Sequence, residues 1–497
     1  YIKFKKIYFS YIYIYKMNDT VNSNLCRNPD VPSQLQMNCK IFSDSQYVES
    51  NILDPVVSSS SHCRFVLPTT GFMSPSARLL LTLTTPSMLA DGTANYFLPA
   101  NIGIFSLINR VQFLANGKTI SNCEDENFLQ AFKQCFSMAE RVYQSKGATN
   151  GIYGSSFKNI ALDPAVEATK DDQEVLMWDS MFEYNAGSST SAANEQAADE
   201  FLQLQTGIEY SVDLSQILPF IQGNLLPLYL MTDMLEIEIF FDVGSAYYRG
   251  YGSADNTIGN VTIDHTKTRL AIDTIIYPDS VMDSFRNNEP VITSQDVDYI
   301  LWKRDFTKIN NTFGGGSYQL GGGNRYVDGV ILMWNDDFRY EADPAQVLSS
   351  SFYNKFYGQG AQGLNGKNEY NLLVNGANLY PRDIDNPALQ YTELQKFDFI
   401  NGKPEINRTE WLNDDFSSLS SKNFERHNLK NNNSANKNFI YIPVDRMVNT
   451  EGLVLSLLRT DNASADTQTS VTLRAFVMVR SQITIDKKMG KMYQRFV

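Results

Sequence analysis

INRVQFLANGKTI, residues 108–120, holds a complete hairpin signal. Apolar residues run from Val111 to Leu114, Asn116-Gly117 follows, and Ile120 resumes the apolar pattern. Asn-Gly between apolar runs predicts a two-residue turn, because both residues tolerate positive φ. A helix-like segment, FLQAFKQCF at 128–136, comes next. The same order recurs in the second half. Leu372-Leu373-Val374 leads to Asn375-Gly376, to Leu379, and to PALQYTELQKF at 387–397, which opens on a proline suited to a helix start.

Working outward, each helix-like segment is followed by a long polar stretch, at 185–199 and at 417–437. Each stretch gives way to a similar strand opening, Tyr210-Ser211-Val212-Asp213 and Tyr441-Ile442-Pro443-Val444-Asp445. Alternating strands, LEIEIFF at 235–241 and VTLRAFVMV at 471–479, are expected to close the two halves as counterparts. In the second of these, Val471, Leu473, Ala475, Val477 and Val479 share one face. Other short apolar runs, at 78–83, 270–277 and 330–334, lie between Gly, Pro, Asn and Ser clusters. The expectation is an all-β sandwich or barrel built twice, divided near residues 287–290 after a helix-like 279–286.

Composition narrows the function classes. The chain has 497 residues, 43% hydrophobic and 20% charged, so it can bury large cores. No run of 18 apolar residues predicts a spanning helix. The histidines are His62, His265 and His427, and they form no ligand-spaced motif. Cys26, Cys39, Cys63, Cys123 and Cys135 are odd in number, irregular in spacing and without C-x-x-C, which points to reduced thiols. No metal or cofactor is expected.

Net charge is −13, yet both ends are basic. Residues 1–16 carry lysines and no acid; Lys487, Lys488, Lys491 and Arg495 do the same at the other end. An acidic body does not wrap nucleic acid, so only the ends could meet phosphate. YIKFKKIYFSYIYIYK before Met17 has a short apolar run and no small-residue cleavage site, so it is read as a non-native or disordered extension.

Two β units, each with an Asn-Gly hairpin, a short helix and a long loop, resemble the double jelly-roll major capsid proteins. LPLYLMTDMLEIEIFFD at 226–242 is similar to the end of that family's first jelly roll. INRVQFLANGKTI is similar to its hairpin before the short helix. The smaller members, from polinton-like viruses and virophages, suit the length, with nucleo-cytoplasmic large DNA viruses as cousins. The resemblance implies two tandem eight-stranded jelly-roll β-sandwiches. It also implies a homotrimeric, pseudo-hexameric capsomer that tiles an icosahedral shell, assembled inside the host cell and located in the virion. Its partners would be neighbouring capsomers, penton and minor capsid proteins.

The expected boundaries are 1–16 (extension), 17–39 (N-terminal arm), 40–287 (first jelly roll), 288–486 (second) and 487–497 (basic C-terminal tail). Lys487, Lys488, Lys491 and Arg495 are the candidate inner-face contacts, toward minor proteins, an internal membrane or packaged DNA.

Rival readings rest on thinner signals. Glu236 and Glu238 lie two apart on a strand and resemble the opening of a jelly-roll glycosidase motif. Retaining glycosidases place two carboxyls about 5–5.5 Å apart. That motif's third acid falls on Phe240 or Phe241 here, however. A spike, minor capsid protein or carbohydrate-binding β-sandwich is the other alternative. Gly314-Gly315-Gly316 and Gly321-Gly322-Gly323 lack the Gly-Lys-Ser/Thr of a phosphate loop and are expected to be flexible turns. Gly117-Lys118-Thr119 lacks the upstream glycine.

Overall fold

A computed structural model describes residues 47–83, 94–97, 103–137, 209–242, 247–250, 258–260, 263–307, 309, 312–336, 367–397, 439–460 and 470–496. The expectations for 1–16 and 17–39, and those for the polar stretches at 185–199 and 417–437, lie outside these residues.

Eight main strands form the first unit: β1 (Tyr47–Leu53), β2 (His62–Val66), β3 (Arg78–Thr82), β4 (Ile108–Ala115), β5 (Lys118–Cys123), β6 (Glu209–Asp213), β7 (Leu235–Phe241) and β8 (Arg269–Ile276), with two-residue strands at Val57–Ser58 and Phe72–Met73 pairing with β2 and β8. Eight more form the second: β9 (Val291–Thr307), β10 (Thr312–Gly321), β11 (Arg325–Asp336), β12 (Lys367–Val374), β13 (Ala377–Asn378), β14 (Ile440–Val448), β15 (Leu453–Thr460) and β16 (Ser470–Asp486). The first unit's sheets run β1-β8-β3-β6 and β2-β7-β4-β5. The second unit's run β9-β16-β11-β14 and β10-β15-β12-β13. Adding eight to each label converts one pair of sheets into the other. Strand order is therefore the same in both units, and it is that of a jelly roll. Short strands at Ala94–Phe97, Tyr247–Gly250 and Ile258–Asn260, inserted between β3 and β4 and between β7 and β8, pair into a separate small sheet.

The Asn-Gly pairs occupy equivalent places. Asn116 and Gly117 have φ of 51° and 73° and join β4 to β5; Asn375 and Gly376 have 55° and 76° and join β12 to β13. Two successive positive φ values are those of a type I′ turn, whose twist matches the flanking strands. Helix α1 (Glu126–Ser137) follows β5, α2 (Asp279–Asn287) follows β8, and α3 (Pro387–Leu394) follows β13. None of the described helices is long and apolar enough to cross a membrane. In α3 the side chain of Asn386 accepts from the Ala388 N–H, and Pro387 fills the first turn.

Two expectations change. LEIEIFF is β7, whose counterpart is β15, whereas VTLRAFVMV lies in β16, whose counterpart is β8. Alternation alone does not say which of two neighbouring strands is matched, because every strand of a sandwich carries it. The glycine run at 314–316 is a bulge inside β10, where the register against β15 shifts. The run at 321–323 ends that strand, with a second shift between Gln319 and Gly321.

The cores explain the strand patterns. In the first unit Leu235, Ile237 and Ile239 of β7 join Phe65, Leu79, Leu81, Val111, Phe113 and Val212 in one buried cluster. In the second, Val330, Leu332 and Trp334 of β11 pack with Leu455, Leu457, Leu473, Ala475 and Val477. The sheet holding β11 and β16 is covered on both faces. Ile331, Met333, Phe476 and Met478, on its other side, belong to the first unit's cluster. A strand buried on both faces reads as a near-continuous apolar run, as VTLRAFVMV and VILMW do.

Residues 487–496 are not a free tail. Strand β17 (Lys491–Phe496) pairs antiparallel with Ser481–Asp486 of β16. The turn before it is fixed by the Asp486 carboxylate, which accepts from the N–H groups of Lys488 and Met489, each at 2.9 Å. That turn docks on the first unit: the Gly490 carbonyl accepts from the Thr232 N–H at 2.8 Å.

Candidate functional site

The basic residues of the C-terminal segment divide into two groups. Lys487 is only 5% exposed. Its ammonium donates to the Phe285 carbonyl at 2.8 Å and lies 4.0 Å from the centre of that ring. Burial lowers its pKa from the ordinary lysine value. Lys488, Lys491 and Arg495 are exposed. Lys491, Tyr493 and Arg495 alternate along β17 and share its outer face, while Met492 is buried on the other. Sequence grouped all four basic residues; the fold leaves three of them available to a partner.

Glu236 and Glu238 do share a face of β7, with a cation within reach of both. Arg64 on β2 places one guanidinium nitrogen 3.6 Å from Glu236 and 3.8 Å from Glu238. The His62 Nε2 lies 3.9 Å from Glu238, and its ring stacks on Phe240 at 4.6 Å. The register sets this, since Glu238 faces Arg64 and Phe240 faces His62 across the β7–β2 pair. The guanidinium stands where a glycosidic bond would have to enter between the two carboxyls. Among the described residues no group of three or more His, Cys, Asp or Glu could hold a metal ion. Cys63 and Cys123 are free and buried; burial pushes the Cys63 thiol up to about 12 and raises Cys123 as well, so neither is a ready nucleophile.

The junction between the units holds residues the sequence reading did not single out. Arg474 of β16 is 1% exposed, and its Nε donates to the Asp125 carboxylate at 2.8 Å. Its guanidinium sits 3.5 Å from the centre of the Phe128 ring. Lys303 approaches the same carboxylate oxygen at 3.7 Å. Asp125 also starts α1, its carbonyl accepting from the N–H groups of Phe128 and Leu129. A lone arginine in the apolar run VTLRAFVMV was the available signal. Beside this pair, Phe132 of α1 meets Phe397 edge-on at 4.9 Å, and Phe397 meets Tyr441 at 4.9 Å.

Asp296 of β9 lies in the same junction, 3% exposed. Burial pushes its carboxyl up to about 7 and the nearby Asp298 adds to this, while the Val297 N–H, the Lys133 ammonium and the Ser121 hydroxyl oppose it. On the outside, β1 is the edge of its sheet and presents Tyr47, Val48 and Ile52, followed by Val56 and Val57. An exposed apolar edge is a site for pairing or packing with a neighbour.

No family model matches this sequence, and no curated protein matches it. Solved structures do. The mavirus major capsid protein aligns over 95% of this chain and 94% of its own, at 9% identity and a TM-score of 0.50. The Faustovirus major capsid protein aligns over 92% of each chain, at 9% identity and a TM-score of 0.51. A chain from the structure of the Sputnik virophage aligns over 95% of this chain and 91% of its own, at 11% identity and a TM-score of 0.51. Near-complete coverage of both chains means that both jelly rolls, in order, are matched rather than one sandwich alone. By its fold, this chain is a double jelly-roll protein of the kind built by the major capsid proteins of mavirus and Faustovirus.

Proposed function

We propose that this chain is the major capsid protein of a double-stranded DNA virus. It forms a homotrimeric, pseudo-hexameric capsomer, resides in the virion shell and is assembled inside the host cell. The observation that carries this reading is the repeated strand order, β1-β8-β3-β6 against β9-β16-β11-β14, in one chain. Three copies of a two-unit chain offer six similar wedges, which suits a hexagonal tile. The junction cemented by Arg474, Phe132 and Phe397 supports it, because wedges must hold a fixed mutual angle to tile. The exposed apolar edge at β1 supplies surface for a subunit contact, and obligate interfaces commonly exceed about 2,000 Å². The small sheet formed by the β3–β4 and β7–β8 insertions belongs to an outer tower in this reading. The two units span 40–287 and 288–486, and the chain carries no active site.

Lys488, Lys491 and Arg495 face an inner-shell partner in this proposal: a minor capsid protein, an internal membrane or DNA. Reversing all three to Glu should leave trimers intact and abolish capture of that partner in assembling particles. Normal particles from the reversed protein would remove this part of the reading.

Light scattering on purified protein tests the main proposal. The expected mass is three times that of the 56.2 kDa chain, with six-sided particles in negative stain. A stable monomer at all concentrations would overturn it. Release of sugar from a polysaccharide, lost in Glu236→Gln, would favour the glycosidase instead.

A further inference from the structure

A cavity of about 520 Å³ opens where the two units and the C-terminal turn meet. Its walls are largely apolar: Phe220 and Leu226 come from the first unit, Phe285 from α2, and Ile292 and Ile485 from the second unit, with polar groups at Asn288 and Thr293. The volume falls within the roughly 300–1,000 Å³ of small-molecule sites. One cation lines it, Lys487, which is nine-tenths buried. The Lys487 ammonium has three N–H groups, and the Phe285 carbonyl takes one of them. The Glu289 carboxylate favours the charged form of Lys487 from a distance. Glu289 also borders the cavity, but it is exposed and beyond ion-pair distance.

A largely apolar chamber with one buried ammonium selects its ligand on two counts. The walls reward an aliphatic chain and offer little to a compact anion, because the Asn224 amide is already spent on the carbonyls of Phe220 and Gln222 and on the Ser294 hydroxyl. A peptide would bring more amide groups than the few polar side chains of these walls can pair, at a cost of about 1–3 kcal/mol for each one left unmade. An acyl chain brings none. The buried ammonium rewards a carboxylate over a neutral or cationic head group, since charge-assisted hydrogen bonds are the strong ones. We propose that this cavity binds a free fatty acid, its acyl chain against Phe220, Leu226, Phe285 and Ile292 and its carboxylate on Lys487. The inference does not depend on shell assembly, because the cavity is formed within one chain.

Calorimetric titration of the full chain tests it, with decanoate, dodecanoate and dodecyltrimethylammonium as probes, each below its micelle concentration. One dodecanoate per chain should bind, roughly tenfold tighter than decanoate for two added methylenes. Dodecyltrimethylammonium should bind at least about tenfold more weakly than dodecanoate. Lys487→Met, checked by thermal melting for an intact fold, should lose at least about tenfold on dodecanoate, and Lys487→Arg should retain binding. Thr293→Trp, an exposed strand position bordering the cavity, should block all chain-dependent binding without touching Lys487. Equal affinity for the two head groups would overturn the proposal. So would unchanged dodecanoate binding in a folded Lys487→Met protein, or binding of several molecules per chain that survives Thr293→Trp.

Discussion

Arg474 and Asp125 stand 349 positions apart in the chain and meet at 2.8 Å, one from each jelly roll. The pair places a charge of each sign at the junction, with the guanidinium 3.5 Å from the centre of the Phe128 ring. Removing Arg474 takes from Asp125 its closer cation. Arg474→Met should therefore destabilise the chain by about 3 kcal/mol, at the low end for broken buried pairs because Lys303 still approaches Asp125. Urea unfolding followed by fluorescence and by circular dichroism should separate into two transitions as the units uncouple. A single transition at the original midpoint would contradict this role.

Asp296 makes stability depend on pH. Its carboxyl titrates near 7 in the folded protein against 3.8 ordinarily. The folded state thus holds a proton that the unfolded state has lost between those values. The Asp296 contribution to stability should be fully present below about pH 4, fall as pH rises through the window, and level off above about 7. The full loss is on the order of 4 kcal/mol. Asp296→Asn should flatten this slope and raise the melting temperature at pH 8 more than at pH 5. Parallel pH profiles for the two proteins would refute it.

The two Asn-Gly turns give a graded test of the repeat. Gly117→Ala and Gly376→Ala each force a side chain into a left-handed turn, costing about 1 kcal/mol apiece. A Cβ at Gly117 meets nothing within 4 Å, so its cost is the backbone alone; at Gly376 it meets the Glu451 carboxylate at 3.1 Å, so that cost should be somewhat larger. The double variant should add the two values, because the sites are far apart in the fold. Denaturation midpoints would measure this.

Truncation after Gly490 probes the last strand. It removes β17 and uncovers the backbone N–H and C=O groups of Ser481–Asp486 in β16, an unpaired edge able to join other chains. The expected outcome is a lower melting temperature and aggregation, read by differential scanning and light scattering. Lys488→Glu in the full chain should change neither, since its side chain is exposed and its backbone alone serves the turn.

The sequence by itself settled what local chemistry dictates. Asn116-Gly117 and Asn375-Gly376 fixed two hairpins, because an I′ turn needs positive φ at both residues. Alternation in LEIEIFF and the apolar density of VILMW announced strands, and the order of these signals announced a repeat. Pairing was decided only in three dimensions. Period-two alternation is common to every strand, so LEIEIFF could be matched with VTLRAFVMV when its counterpart was Leu453–Thr460. Burial of the second face of β16 was likewise beyond the sequence, as was the fate of Lys487. Whether an arginine or lysine meets solvent, a carboxylate or a carbonyl depends on groups hundreds of residues away. Charge reads the same in all three settings until the chain has folded around it.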